Sequence, residues 1–186
     1  MESQQDSLKG QLLLDGGKLN GSSFHRGVVL ICQHDAEGAF GLLLNRATDS
    51  NVGDLILEEL PESIQDNPIY LGGPVQPGAL SYLHTDEYLP EGNVIENVLL
   101  GHSIEALTDT AESYSPHRKI RVFAGYAGWS AGQLDSEMES NAWLTHPATQ
   151  ELIFDHDAET LWNTILRKKA WQHRVLAQSP EDPSWN

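Results

Sequence analysis

Apolar residues fall into short unbroken runs in the first part of the chain and into helical stripes toward its end. Gly27-Val28-Val29-Leu30-Ile31-Cys32 and Ala39 to Leu44 are continuous and largely aliphatic, the pattern of strands buried on both faces. His34-Asp35-Ala36-Glu37-Gly38 between them reads as the connection of a hairpin, which Asn45-Arg46 ends. Gly10 to Leu14 predicts a strand before them, followed by turn chemistry at Asp15-Gly16-Gly17 and Asn20-Gly21-Ser22-Ser23. Val52, Leu55, Ile56 and Leu60 recur at helical spacing, with Asn51 as cap and Pro61 as stop. Ile69 to Leu71, Leu80 to Leu83 and Val94 to Leu100 are further strand candidates. Ile104, Leu107 and Ala111 mark a helix from about Ser103.

Lys119 to Phe123 alternates charged and apolar residues, as a half-buried strand does. The most over-determined stretch follows, Gly125-Tyr126-Ala127-Gly128-Trp129-Ser130-Ala131-Gly132-Gln133-Leu134-Asp135-Ser136-Glu137-Met138. It predicts a glycine-tryptophan turn and then a helix from Ala131 to about Glu139. Trp143-Leu144 and Leu152-Ile153-Phe154 read as late strands. Ala158, Leu161, Trp162, Ile165 and Leu166 form the clearest helical stripe, with Asp157 as cap and Arg167, Lys168 and Lys169 near its end. Residues 1–9 and 179–186 read as flexible tails. Strands and helices are mixed without a regular alternation, so the expected class is α+β with a mixed sheet, in a single domain over 1–186.

Charge narrows the function. The chain has 27 acidic against 11 basic residues, a net charge of −16. Nucleic acids are polyanions and require a Lys/Arg face, so direct nucleic-acid binding is not expected, and an anionic membrane would repel the chain. One cysteine permits no intrachain disulfide. No apolar run approaches the ~20 residues of a membrane span, and no signal-peptide pattern opens the chain, so a cytoplasmic protein is expected.

Gly128-Trp129-Ser130-Ala131-Gly132 matches G-x-S-x-G, in which a sharp strand-to-helix turn exposes a nucleophilic serine. Asp155 or Asp157 and then His173 follow in hydrolase order. The competing reading is a Ser-x-x-Gln capping box, Ser130 and Gln133 each satisfying an amide at the helix start. Gln133 and Glu137 share a helix face and are able to line a cleft. Gly72-Gly73-Pro74 lacks the spacing of a phosphate-cradling loop and reads as a tight turn. The eight histidines are scattered, without H-E-x-x-H or a Cys/His cluster, so neither metal nor cofactor is expected. Cys32 reads as a small packed hydrophobe. Arg46 is one of few bases and lies just past a core strand, where it can hold an anion or pair with one of the chain's own acids.

Taken together, these segments resemble the AlgH/YqgE family. The resemblance runs from about Gly10 to Leu166. It rests on Phe24-His25-Arg26, on His34 to Arg46, on Gly72-Gly73-Pro74-Val75, on Leu83-His84, and on Gly125 to Trp129 with Gly132-Gln133-Leu134; Trp143 and Trp162 also fit. It implies a compact α+β fold with a mixed, partly barrel-like sheet flanked by helices, and no established enzymatic activity. The chain departs from the pattern with Ala47 where proline often follows Asn45-Arg46, and with Asp15-Gly16-Gly17 where Ala-x-Pro is common. It also has Ser130 where the family commonly has a small residue, which weighs against that serine as a nucleophile. The leading expectation is a non-catalytic binding or regulatory domain acting on a small ligand or protein partner through a groove bordered by Asn45, Arg46, Gly73, His84, Trp129 and Gln133. The alternatives are a small serine hydrolase using Ser130 and a transcriptional regulator.

Overall fold

The computed structural model describes residues 6–56, 59–87, 91–113 and 117–169. In chain order these form β1 (Gln11–Asp15), β2 (Val28–Asp35), β3 (Gly38–Leu43), β4 (Ala47–Asn51), α1 (Val52–Leu55), α2 (Glu62–Gln65), β5 (Pro68–Leu71), β6 (Val75–Thr85), β7 (Val98–Gly101), α3 (Ile104–Glu112), β8 (Ile120–Ser130), α4 (Gln133–Glu139), β9 (Trp143–Pro147), α5 (Gln150–Phe154) and α6 (Ala158–Lys168). The nine strands form one mixed sheet in the order β4-β5-β8-β3-β2-β1-β9, with β6 and β7 branching from β8. Every pairing is antiparallel except that of β5 with β8. The α+β class and the mixed sheet match expectation. The partly barrel-like closure does not: β4 and β9 end the path in different halves of the sheet without pairing with one another.

β8 belongs to both halves. Its first residues pair with β5 on one side and β6 on the other, Ile69 opposite Val122 and Tyr82 opposite Val122. Its last residues pair with β3, from Gly41 opposite Ala127 to Gly38 opposite Ser130. The changeover requires glycines. Gly72 donates its N–H to Ala124 O (2.9 Å), while its carbonyl accepts from Leu43 N (2.8 Å), so one residue bridges β8 and β3. A Cβ on Gly73 would lie 2.2 Å from Tyr126 C, and one on Gly125 2.5 Å from Gly73 O. Gly125 also holds φ of +71°, in the left-handed region. The glycine-tryptophan stretch is therefore strand, not turn, up to Ser130.

The continuous runs are buried on both faces, as their composition predicted. Leu12, Leu14, Val28, Leu30, Leu42 and Leu44 join Phe123 beneath α5 and α6. The alternate residues Leu13, Val29, Ile31 and Leu43 pack with Trp129, Leu134 and Trp143 on the opposite face. A third cluster, under α1, α2 and α3, joins Val52, Ile56, Ile64, Ile69, Leu107 and Val122.

Several elements differ from expectation. Leu152-Ile153-Phe154 is helical, capped by the Thr149 hydroxyl accepting from Leu152 N (3.2 Å). The helix expected over residues 52–60 is the short α1, with Ile56 already extended. Ala47–Asn51 is an unforeseen edge strand, polar because it is solvated. β6 begins at Val75 rather than Leu80. Residues 6–9 are tied down, Leu8 N donating to His34 Nδ1 (3.0 Å) and Ser7 Oγ to His34 O (2.9 Å); the tail 179–186 lies outside the described residues.

The glycine joint gives a stability test. Gly125→Ala and Gly73→Ala should each cost about 3 kcal/mol or more in urea unfolding, because a methyl would meet backbone atoms that have no freedom to yield. Gly78→Ala, where a Cβ meets nothing within 4 Å, should stay within about 0.5 kcal/mol. Equal tolerance at all three positions would refute the joint.

Candidate functional site

β2 starts and β3 ends at the same end of their hairpin, so Phe24-His25-Arg26 and Asn45-Arg46 are brought side by side. Asn45 is nearly fully buried and locks them together: its Oδ1 accepts from Val28 N (2.9 Å) and its Nδ2 donates to Arg26 O (2.9 Å). The Arg46 guanidinium donates to Asn45 O (3.1 Å) and to His25 O. Asp15 organises the preceding loop from within the protein. Its carboxylate is fully buried and accepts from Gly17 N (2.8 Å), Leu19 N (3.2 Å) and Arg26 N (2.8 Å). The last bond secures Arg26 at φ of +51°, a left-handed backbone that a non-glycine residue rarely adopts. Arg26 in turn lies over the Trp162 ring at 5.0 Å, and the Trp162 indole donates to Asp15 O (3.2 Å).

The result is a cleft of about 560 Å³ between this corner and α6, bordered by His25, Arg26, Asn45, Arg46, Glu159, Trp162 and Asn163. Two buried atoms of the residues that border it have no hydrogen-bond partner: Asn163 Oδ1 and His25 Nδ1. The latter faces Asp15 Oδ2 at 3.6 Å, beyond hydrogen-bond length. Buried polar atoms are nearly always satisfied, and Arg118 Nε and His156 Nε2 elsewhere in the chain are likewise without a partner.

The other expected site residues lie elsewhere. Trp129 sits near the far end of β8 in an aromatic group with Phe24 (centroids 6.3 Å apart) and Trp143 (6.2 Å). Glu137 on α4 accepts both indole N–H groups, from Trp129 (2.9 Å) and Trp143 (2.8 Å), and its second oxygen accepts from Gln133 Nε2 (3.0 Å). His84 pairs with Ile120 at the opposite end of β8, next to Tyr82. Ile120 and Trp129 are nine positions apart along the strand, about 30 Å at ~3.3 Å per residue. Gly73 is part of the glycine joint. The six residues thus form no common groove: Asn45 and Arg46 share the cleft, Trp129 and Gln133 share the α4 corner, and His84 stands apart. His25, Arg26, Glu159, Trp162 and Asn163 were not singled out as site residues. The available signal was hairpin geometry, which places a base before the first strand beside a base after the second.

Ser130 ends β8 with an exposed side chain, and its hydroxyl donates to Gln133 Oε1 (3.2 Å). The left-handed residue is Gly132, two positions later, so Ser130 does not occupy a strained elbow. Half of the capping box forms, Gln133 Oε1 accepting from Ser130 N (3.1 Å), while the serine caps no amide. Asp155 pairs with Lys119 (2.7 Å) and Asp157 caps α6 through Glu159 N (2.8 Å). His173 lies outside the described residues. Burial pushes the Cys32 thiol up to about 12, away from reactivity. Among the described residues no group of three His, Cys, Asp or Glu side chains is placed to hold a metal ion. A second cleft of about 510 Å³ is bordered by Thr85, Asn97, His117, Arg118 and Lys119, among others. Its bases face acids of the chain, Lys119 with Asp155 and Arg118 with Asp86 at 3.6 Å.

Two measurements follow from these contacts. Glu137→Ala strands two indole N–H groups and should destabilise the chain by about 2–4 kcal/mol, with a shift in tryptophan emission; an unchanged unfolding midpoint would show that water replaces the carboxylate. Burial pushes the imidazoles of His84 and His146 below the ordinary value of 6.5, assisted at His84 by Arg118 and at His146 by Lys169 and Lys168. Below 6.5 the unfolded chain takes up these protons more readily than the folded chain, so stability falls as pH drops from 6.5 toward the lower native values. The double variant His84→Gln, His146→Gln should flatten that slope in urea midpoints, and an unaltered slope would place the titration elsewhere.

Comparison with known proteins bears on the whole chain. A UPF0301 protein of Chlorobium limicola is 35% identical over 193 aligned residues, covering 100% of both chains. A UPF0301 protein of Rhizobium rhizogenes is 35% identical and covers 86% of this chain and 85% of its own. The solution structure of AlgH from Pseudomonas aeruginosa superposes with a TM-score of 0.72 at 29% identity, over 97% of this chain and 98% of that one. A crystal structure from Corynebacterium diphtheriae shares the fold at TM-score 0.77 and 21% identity, over 96% of this chain and 95% of that one. The family model described as AlgH-like matches residues 12–174, and the chain belongs to that family.

Proposed function

We propose that the chain is a cytoplasmic binding domain without covalent chemistry of its own, and that its ligand occupies the cleft between the β2–β3 corner and α6. The observation that carries this reading is convergence. In a chain with 11 bases against 27 acids, two arginines and a histidine border one cleft with two unpartnered buried polar atoms. Its volume falls within the ~300–1,000 Å³ of small-molecule sites. The reading keeps Asn45 and Arg46 as site residues, Asn45 as the brace and Arg46 as a wall.

A regulatory role follows from Phe24. The residue beside His25 stacks in the Trp129–Trp143 group under α4. A ligand that shifts His25 or Arg26 therefore pulls on the α4 corner through one residue, and a protein partner would read that corner. Direct action on DNA is no part of this proposal, since the net charge of −16 opposes it.

A small-molecule fragment screen followed by chemical-shift mapping on isotope-labelled chain tests the site. Hits should move the Trp162 indole and Asn163 amide signals, and Arg46→Ala should weaken them roughly tenfold. Hits confined to the cleft at Thr85, Asn97 and Arg118, indifferent to Arg46→Ala, would overturn the assignment.

A further inference from the structure

We infer that residues 6–9 form an acid-released strap, fastened across the end of β2 by the neutral form of His34. The device is separate from the cleft and does not depend on what binds there. The strap starts from a pinned point, where Gly10 N donates to Ile31 O (2.8 Å). Ahead of that point two hydrogen bonds tie it to β2, and both go to His34. Ser7 Oγ donates to the His34 carbonyl (2.9 Å), and Leu8 N donates to the ring at Nδ1 (3.0 Å). A backbone N–H only donates, so Nδ1 holds a free lone pair and the ring proton is on Nε2. That nitrogen lies 3.5 Å from Asp135 Oδ1 on α4, and the ring is nearly buried between the two contacts.

Protonation removes the lone pair. Both ring nitrogens then carry hydrogens, and Nδ1–H points at the Leu8 N–H. The strap bond becomes an encounter of two donors, while the contact with Asp135 becomes an ion pair that keeps the ring in place. The strap therefore leaves and the ring stays. The charged groups around the imidazole are Asp135 on α4, Asp6 and Lys9 on the strap, and Asp35 and Glu37 at the β2–β3 connection. Asp35 Oδ1 is engaged by Glu37 N (2.8 Å), and Glu137 of α4 by the two indoles. On β3 the partner of His34 is the uncharged Ala39, which in turn pairs with Trp129 on β8. Leu8 packs against the cluster of Trp129, Leu134 and Trp143, so release withdraws an apolar side chain from the α4 corner.

The isotope-labelled full chain would be titrated from about pH 8 to about pH 5, the range in which histidines change charge. The His34 ring protons and the protection of the Leu8 amide against exchange are read together, with the buried Val29 amide of β2 as the check on global folding. Leu8 protection should fall roughly tenfold or more in step with His34 protonation, while Val29 stays protected. His34→Asn keeps an acceptor where Nδ1 stood and does not titrate, so Leu8 should remain protected throughout. His34→Ala should expose Leu8 at every pH. Asp135→Asn should require a lower pH for the same release, because the charged ring loses its counter-ion. A Leu8 amide still protected once His34 is protonated, or released at the same pH in His34→Asn, would overturn the inference. Loss of Leu8 and Val29 protection together would overturn it as well, since the strap would then open only with the whole fold.

Discussion

The close approach of two glycine segments is the constraint on which the architecture depends. Gly72-Gly73 passes against Gly125-Tyr126 at distances that exclude a Cβ on either side. That approach lets β5 hand its edge of β8 over to β3, with Gly72 bonded to both. Without it β8 would lie in one sheet and the face beneath α5 and α6 would not run continuously from Leu12 to Phe123. Glycine serves here less as a turn residue than as a missing side chain.

The same joint decides where chemistry can sit. A strand that serves two half-sheets is long, so its ends lie far apart, and side chains at the two ends share no site. The β2–β3 hairpin does the opposite, returning the chain to its starting corner. Arg26 and Arg46 are 20 positions apart in sequence and meet because the hairpin folds back between them. The loop into that corner is fixed by Asp15, whose carboxylate serves three backbone N–H groups and whose carbonyl serves Trp162. Burying a lone carboxylate is costly unless its oxygens are bonded, and these are.

Much of the fold was legible because burial on both faces leaves an unambiguous mark. The runs ending at Leu14, Cys32 and Leu44 have no polar alternation, and each proved to divide its residues between two cores. The stripe from Ala158 to Leu166 with its Asp157 cap was equally plain. Leu152-Ile153-Phe154 was not, since three apolar residues carry no period and only the Thr149 cap betrays the helix. Gly125 to Gly128 misled in another way. Glycine favours turns locally, and only the distant Gly72-Gly73 reveals that these glycines permit contact. The candidate site was half legible. Asn45 and Arg46 stand out as polar residues ending a core strand, but Trp162 and Asn163 come from the far end of the chain. Their helix read as a core stripe, and Asn163 follows the stripe's own tryptophan without any local signal.

Charge explains why a cleft of this kind matters in so acidic a protein. Scattered bases among many acids are expected to be neutralised one by one, and Lys119 and Arg118 follow that rule, each beside an aspartate. Arg26 and Arg46 are in addition held by groups other than carboxylates. One is turned over an indole ring and held by its backbone, and the other is anchored to main-chain carbonyls. Carbonyl and ring contacts fix the direction in which a guanidinium presents its donors. The buried Asp15, nearest to His25 at 3.6 Å, is spent on backbone amides. The corner therefore sets two oriented arginines beside two carboxylates, Asp15 and Glu159, in a chain of net charge −16.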